Sequence, residues 1–205
     1  SDNGTNLINA ELDSLGISGI SISKDAVEEA EKLTNEDLKT IQQQSFVESA
    51  TPIITTTGFL RDAEISSAII CGIDENAKSV ISVETVKGEK ISYSDIVGRK
   101  KICLIDEETA DTLFAKQAVI GETVDILIAG EAERYTVTGV VKASSSILQT
   151  SIGEMLPTII YIPYTTLQTQ LRSDSIDQIA VNLSEDTDCE DCIGRIRSVI
   201  AQEKI

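Results

Sequence analysis

The chain has no histidine and no tryptophan among its 205 residues, only three prolines, and half as many basic side chains as acidic ones, 17 against 34. Without histidine it lacks the one side chain whose unperturbed pKa lies near neutrality, which is also the commonest general base and metal ligand. That absence argues against an enzyme and turns the search for function toward shape and connection. The formal charge of −17 repels phosphate backbones and anionic headgroups, and the sole basic run is Arg99-Lys100-Lys101. With four Tyr and three Phe as its aromatics, the chain also offers few platforms for stacking bases. No nucleic acid partner is expected.

Long apolar runs are missing as well: none exceeds about half a dozen residues, against the roughly 20 that a spanning helix needs. The opening Ser1-Asp2-Asn3-Gly4-Thr5-Asn6 has neither the basic nor the apolar region of a signal peptide. Because the chain begins at Ser1 rather than Met and ends at Gln202-Glu203-Lys204-Ile205 without a closing signal, a piece of a longer protein is expected. Nucleophile-elbow, phosphate-loop and dinucleotide patterns are absent.

What is present is ordinary globular material, 41% hydrophobic and 25% charged. A chain of this length buries about 70% of its unfolded surface, enough for a core without mandatory staples. Leu7, Ile8, Leu12 and Leu15 fall near helical spacing and stop at Gly16, so residues 1–16 read as the end of a helix. A strand follows over residues 17–23. Thr34 with Asp37 forms a capping-box pair, and Leu33 with Leu38 a hydrophobic staple, which predicts a helix from Asn35 to about Gln44. Strands are expected at Val47–Phe59, Ile65–Ile73, Val80–Val86, Ile102–Ile105, Val124–Ile128, Tyr135–Val141, Thr158–Ile162 and Ile179–Leu183. Asp106 caps a helix through Phe114, and Gly130–Glu133 joins two alternating runs as a hairpin loop. A Ser-rich loop is expected at 143–154. In a last helix Cys189, Cys192, Ile193, Ile196, Val199 and Ile200 share one stripe, with Glu185, Asp186, Asp188, Glu190 and Asp191 near its start, where the dipole favours carboxylates. The fold class that results is α+β, with no internal repeat.

Four cysteines are the main candidates for chemistry. Cys189 and Cys192 have the C-x-x-C spacing of redox dithiols and half zinc sites, but nearby carboxylates oppose thiolate formation. A zinc site would have to draw Cys71 and Cys103 from two different strands, since no histidine is available. Cys71, Cys103, Cys189 and Cys192 are therefore read as buried thiols or a structural disulfide, with no metal, no cofactor and no catalytic residue expected. The acidic cluster at 185–191 lacks the glycine turn and terminal bidentate glutamate of a calcium loop. Ser144-Ser145-Ser146 would need Lys142 as a base to act as a nucleophile, and reads better as loop.

The order of these segments resembles the extracytoplasmic core domain of MacB-type ABC-transporter permeases, a family that includes FtsX-like and lipoprotein-releasing permeases. The residues that carry the likeness are Leu15-Gly16 before a strand; Ala68-Ile69-Ile70-Cys71-Gly72-Ile73-Asp74; and Gly88-Glu89-Lys90-Ile91-Ser92 with Asp95. Further on they are Ile102 to Phe114, Ile120-Gly121-Glu122-Thr123-Val124, Tyr135 to Val141, and Ile160-Tyr161-Ile162-Pro163. Glu89 stands where the family has a basic residue, and the two-cysteine helix start has no counterpart there. The resemblance implies a porter-like βαβ-rich subdomain over 17–79 and 173–205, interrupted by a β-rich sabre-like subdomain over 80–172. It implies a non-catalytic domain on the extracytoplasmic face of the cell membrane, coupling ATP-driven helix movement to export or handling of a substrate or partner. Its implied partners are a second permease copy, a cytoplasmic ATPase domain or subunit, and a membrane-fusion adaptor protein. The alternative from another class is an extracellular sensor or a ligand- or cell-wall-binding module. A thiol oxidoreductase at Cys189 and Cys192 would lose activity on Cys192→Ser.

Overall fold

The computed structural model describes residues 19–23, 33–61, 66–77, 83–115, 118–142, 158–184 and 189–203. The expected helix before residue 16, the Ser-rich loop and the acidic residues 185–188 lie outside them. In chain order the elements are β1 (Gly19–Ser23), β2 (Leu33–Thr34), α1 (Asn35–Gln42), β3 (Val47–Leu60), β4 (Ser66–Ile73), β5 (Thr85–Gly88), α2 (Tyr93–Val97) and β6 (Ile102–Asp106). They continue with α3 (Glu107–Phe114), β7 (Thr123–Ile128), β8 (Glu131–Val141), β9 (Thr158–Pro163), α4 (Tyr164–Leu171), β10 (Ser175–Ile176), β11 (Gln178–Leu183) and α5 (Cys189–Glu203). The class is α+β. Two compact units result, Ser1–Ile53 with Asp174–Ile205, and Ile54–Ser173. Strand β3 changes hydrogen-bonding partners at this point, from β11 up to Ile53 to β4 from Ile54 onward. The units part at that point.

In the first unit β11 lies between β1 and the first half of β3, antiparallel to both. Its burial does not alternate as a half-buried strand's would: Ile179, Ala180 and Val181 are all buried, so both faces are covered. Helix α1 begins as its residues dictate. Thr34 Oγ1 accepts from the Asp37 amide, and Asp37 Oδ2 accepts from the Thr34 amide at 2.9 Å. Leu38 and Ile41 of α1 are buried, as are Cys192, Ile193, Ile196 and Ile200 of α5, against which α1 packs. Val199 is only half-buried, so the stripe on α5 is narrower than its sequence suggests.

The second unit closes a circuit of strands. β3 pairs β4, β4 pairs β9, β9 pairs β6, β6 pairs β8, β8 pairs β7, and β7 returns to β3. Among the described strands of this unit only β5 stands outside it, attached to β8. Closing the ring leaves its six strands without a free edge, which removes the unpaired amides that an open sheet exposes. The core is aliphatic and centred on Ile70, Leu104, Ile105, Ile126, Ile128, and the fully buried Tyr135.

Several elements depart from the pattern read in the sequence. The hairpin turn is Ala129-Gly130, with φ of 52° and 82°, and Glu131 already pairs with Ile128. Two residues with positive φ make the tight turn whose twist matches the strands, so the loop is shorter than Gly130–Glu133. Of the strand expected at Val80–Val86, residues 80–82 lie outside the described residues; β5 covers Thr85–Gly88, with Thr85 opposite Val141, the last residue of β8. Helices α2 and α4 form where sequence periodicity predicts none. For α2 the signal exists: Ser92 and Asp95 make a second capping box, with Asp95 Oδ2 accepting from the Ser92 amide at 2.9 Å.

A backbone crossing holds β5 to β8. Glu89 donates its amide to Thr138 O at 3.0 Å, and a Cβ added at Gly139 would lie 2.4 Å from Glu89 O. That atom is main chain and cannot swing aside. Gly139→Ala is therefore expected to destabilise the fold by about 1–3 kcal/mol, read as a lowered thermal midpoint. An unchanged midpoint would contradict the crossing.

Candidate functional site

Helix α4 is the element around which the second unit's polar groups gather. It follows β9 directly and lies close over β4, since a Cβ at Gly72 would sit 3.0 Å from Tyr164 Cα. In its first turn Thr165 Oγ1 donates to Ile96 O at 2.6 Å and Thr166 Oγ1 to Lys100 O at 2.7 Å. Ile96 O, at the end of α2, also accepts the Arg99 amide at 3.2 Å, so Thr165 adds a second donor to it, while Lys100 lies in the turn that follows α2. In the last turn Gln170 Nε2 donates to Glu131 O at 2.9 Å, and Gln170 Oε1 accepts from the Tyr135 hydroxyl. Burial raises the Tyr135 pKa, helped by the Glu133 carboxylate, so the hydroxyl stays protonated and available as a donor. Arg172 closes α4 in the left-handed conformation, φ 56°, and pairs with Glu131 Oε1 at 2.7 Å. One helix thus fastens α2 at its start and the β7–β8 hairpin at its end.

Beside this arrangement opens a cleft of about 340 Å³, lined among others by Ile73, Asp74, Glu84, Lys90, Ile91 and Leu104. Its polar groups hold its own walls: Asp74 Oδ1 accepts from the Asn76 amide at 2.9 Å, and Glu84 pairs with Lys142 at 3.6 Å. The cleft brings together no nucleophile with a base. Among the described residues no group of three or more metal-ligating side chains converges.

Cys71 and Cys103 are kept apart. Cys71 lies on β4 and Cys103 on β6, with β9 between them, which puts them about two strand spacings or 10 Å apart. Cys71, Cys103 and Cys192 are buried as thiols, and Cys189 is the first residue of α5. Asp191 pairs with Arg195 at 3.1 Å along α5, and Arg195 lies over the Phe46 ring at 5.6 Å. The serine cluster at 144–146 lies outside the described residues, while Lys142, the base a nucleophile there would need, is engaged with Glu84. The α4 side chains Thr165, Thr166 and Gln170 were invisible to sequence reasoning. Threonine is a weak helix former, and Pro163 offers no side-chain cap.

Residues 2–199 match the family model described as MacB-like periplasmic core domain. The macrolide export ATP-binding/permease protein MacB of Neisseria meningitidis serogroup A is 27% identical over 161 residues, covering 77% of this chain and 24% of that protein. A MacB of Paracoccus denitrificans is 28% identical over 158 residues, covering 76% and 22%. The chain therefore spans about a quarter of the length of the curated relatives it matches. The periplasmic region of MacB from Actinobacillus actinomycetemcomitans superposes with a TM-score of 0.72 at 21% identity, covering 91% of this chain and 84% of that one. The extracellular domain of the ABC-type transporter YknZ from Gram-positive bacteria gives 0.62 at 19% identity, covering 82% and 78%. At these identities the two structures establish the fold alone.

Burial pushes the Cys103 thiol from 9.0 up to about 12. The neutral thiol is unreactive, so Cys103 has the properties of a core residue. A raised folded-state pKa gives stability that is full below the unfolded value and is lost as pH climbs to the folded one. Between pH 9.0 and about 12 the protein is expected to lose stability, and Cys103→Ala to lose less of it over that window. Denaturant midpoints measured across the window check this; equal losses in both proteins would contradict it.

Proposed function

Because the chain belongs to the MacB-like periplasmic core domain family, we propose that it is the extracytoplasmic lever of an ABC-transporter permease. Membrane helices moved by cytoplasmic ATP hydrolysis would tilt or separate paired copies of it, and differential contacts in two states would handle a substrate or drive a partner. The stretches 17–79 and 173–205 serve as the porter-like part and 80–172 as the sabre-like part. Its partners in this scheme are a second permease copy, a cytoplasmic ATPase domain or subunit, and a membrane-fusion adaptor. It works on the extracytoplasmic face; among the described residues no helix is long and apolar enough to cross a membrane.

The observation that carries the proposal, besides family membership, is where the polar side chains of the second unit are used. Gln170, Thr165, Thr166 and Tyr135 tie surface elements to one another instead of surrounding a reactive group. A domain that transmits displacement needs such cross-ties, because a loosely joined unit would absorb motion by internal shear. The closed strand circuit serves the same end.

Gln170→Leu tests the link between these ties and transport. It leaves the Tyr135 hydroxyl and the Glu131 carbonyl without their partner, costing about 1–3 kcal/mol of stability. In the full-length transporter the variant is expected to hydrolyse ATP as before while export falls. Export that follows ATP turnover without loss would remove the mechanical role from this helix.

A further inference from the structure

The segment from Lys87 to Lys101 carries five basic and two acidic side chains, whereas the rest of the chain carries 12 basic and 32 acidic. At its centre sits α2, whose Tyr93 and Val97, one turn apart, are 67% and 64% exposed. Every residue from Val97 to Lys101 is exposed. The turn is a complete helix-ending motif: Arg99 donates its amide to Ile96 O and Lys100 to Asp95 O, with Arg99 at φ 47° in the position glycine usually fills. Arg172 occupies the same position after α4 and uses its guanidinium on Glu131. Lys100 pairs with Asp95 and Lys101 with Glu133, but Arg99 has no ion-pair partner among the described residues.

We propose that Tyr93, Val97 and Arg99 form a docking surface for a protein partner whose contact face is an apolar spot flanked by carboxylates. Charge complementarity selects this occupant. A cationic patch on an otherwise strongly acidic chain attracts a partner that touches the patch alone. An extended anionic membrane would also meet the surrounding carboxylates and be repelled by them. Exposed tyrosine and arginine are the side chains that most often anchor protein interfaces, and the guanidinium fork takes a carboxylate in two parallel hydrogen bonds. The inference rests on this surface alone, so it stands or falls apart from the transport mechanism.

The test places the photo-crosslinker p-benzoylphenylalanine at Tyr93 in cells producing the full-length protein, and maps the crosslinked peptides by mass spectrometry. The expected adduct is with a different polypeptide, at a peptide carrying Asp or Glu beside an apolar residue. Its yield should fall at least about tenfold with Arg99→Glu, which sets like charges against each other. Arg99→Gly guards against a folding artefact. It relieves the left-handed backbone, raises the thermal midpoint by about 2–4 °C, and is still expected to lower the yield. Adducts to lipid alone, to a second copy of this chain, or none at all would overturn the proposal, as would a yield indifferent to Arg99→Glu.

Discussion

Two threonine hydroxyls and one glutamine amide on the eight-residue helix α4 join parts of the second unit that lie far apart in the chain. Thr165 and Thr166 reach back 69 and 66 residues to the end of α2 and to the turn after it, and Gln170 reaches 39 residues to the hairpin turn. Their energetic weight comes from burial. A buried polar group that loses its partner costs about 1–3 kcal/mol, whereas an exposed ion pair such as Arg134–Asp125 contributes about 0–1 kcal/mol. The helix therefore fixes α2 and the hairpin through a few inner contacts, and the row of surface ion pairs adds little.

The same unit is shaped by places where main chain meets main chain closely, Gly72, Gly88 and Gly139 among them. Gly72 admits α4 onto β4, and Gly139 admits the strand crossing after β5. Between them the closed strand circuit leaves little freedom for one strand to slide on the next, because every shift would break ladders on both sides. A core of isoleucine, valine and leucine fills the ring, and its buried thiols are part of that filling.

How much of this was legible in the chain depends on the range of the interaction. Helix α1 was readable because Thr34, Asp37, Leu33 and Leu38 state its start within six residues. Helix α2 carries the same box at Ser92 and Asp95, but only a single turn follows, too short for hydrophobic periodicity to register. Helix α4 has neither cap nor stripe and exists because Leu167 and Gln170 find partners brought in from elsewhere. The strands holding Cys71 and Cys103 were evident, yet the insertion of β9 between them is a long-range pairing that no local pattern encodes. The family was legible from the order of its short motifs, whereas the tie between α4 and the hairpin spans 39 residues and leaves no local signal.

If the second unit is a lever, it must keep its shape while it is moved. Pulsed electron paramagnetic resonance on the full-length transporter, with spin labels at the exposed positions Val97 on α2 and Ala132 beside the hairpin turn, measures this across the α4 ties. The distance between the two labels within one copy is predicted to stay the same with and without ATP, while the distance between Ala132 labels on paired copies changes. A nucleotide-dependent change between Val97 and Ala132 inside a single copy, or no change between copies, would contradict a rigid unit carried by the membrane helices.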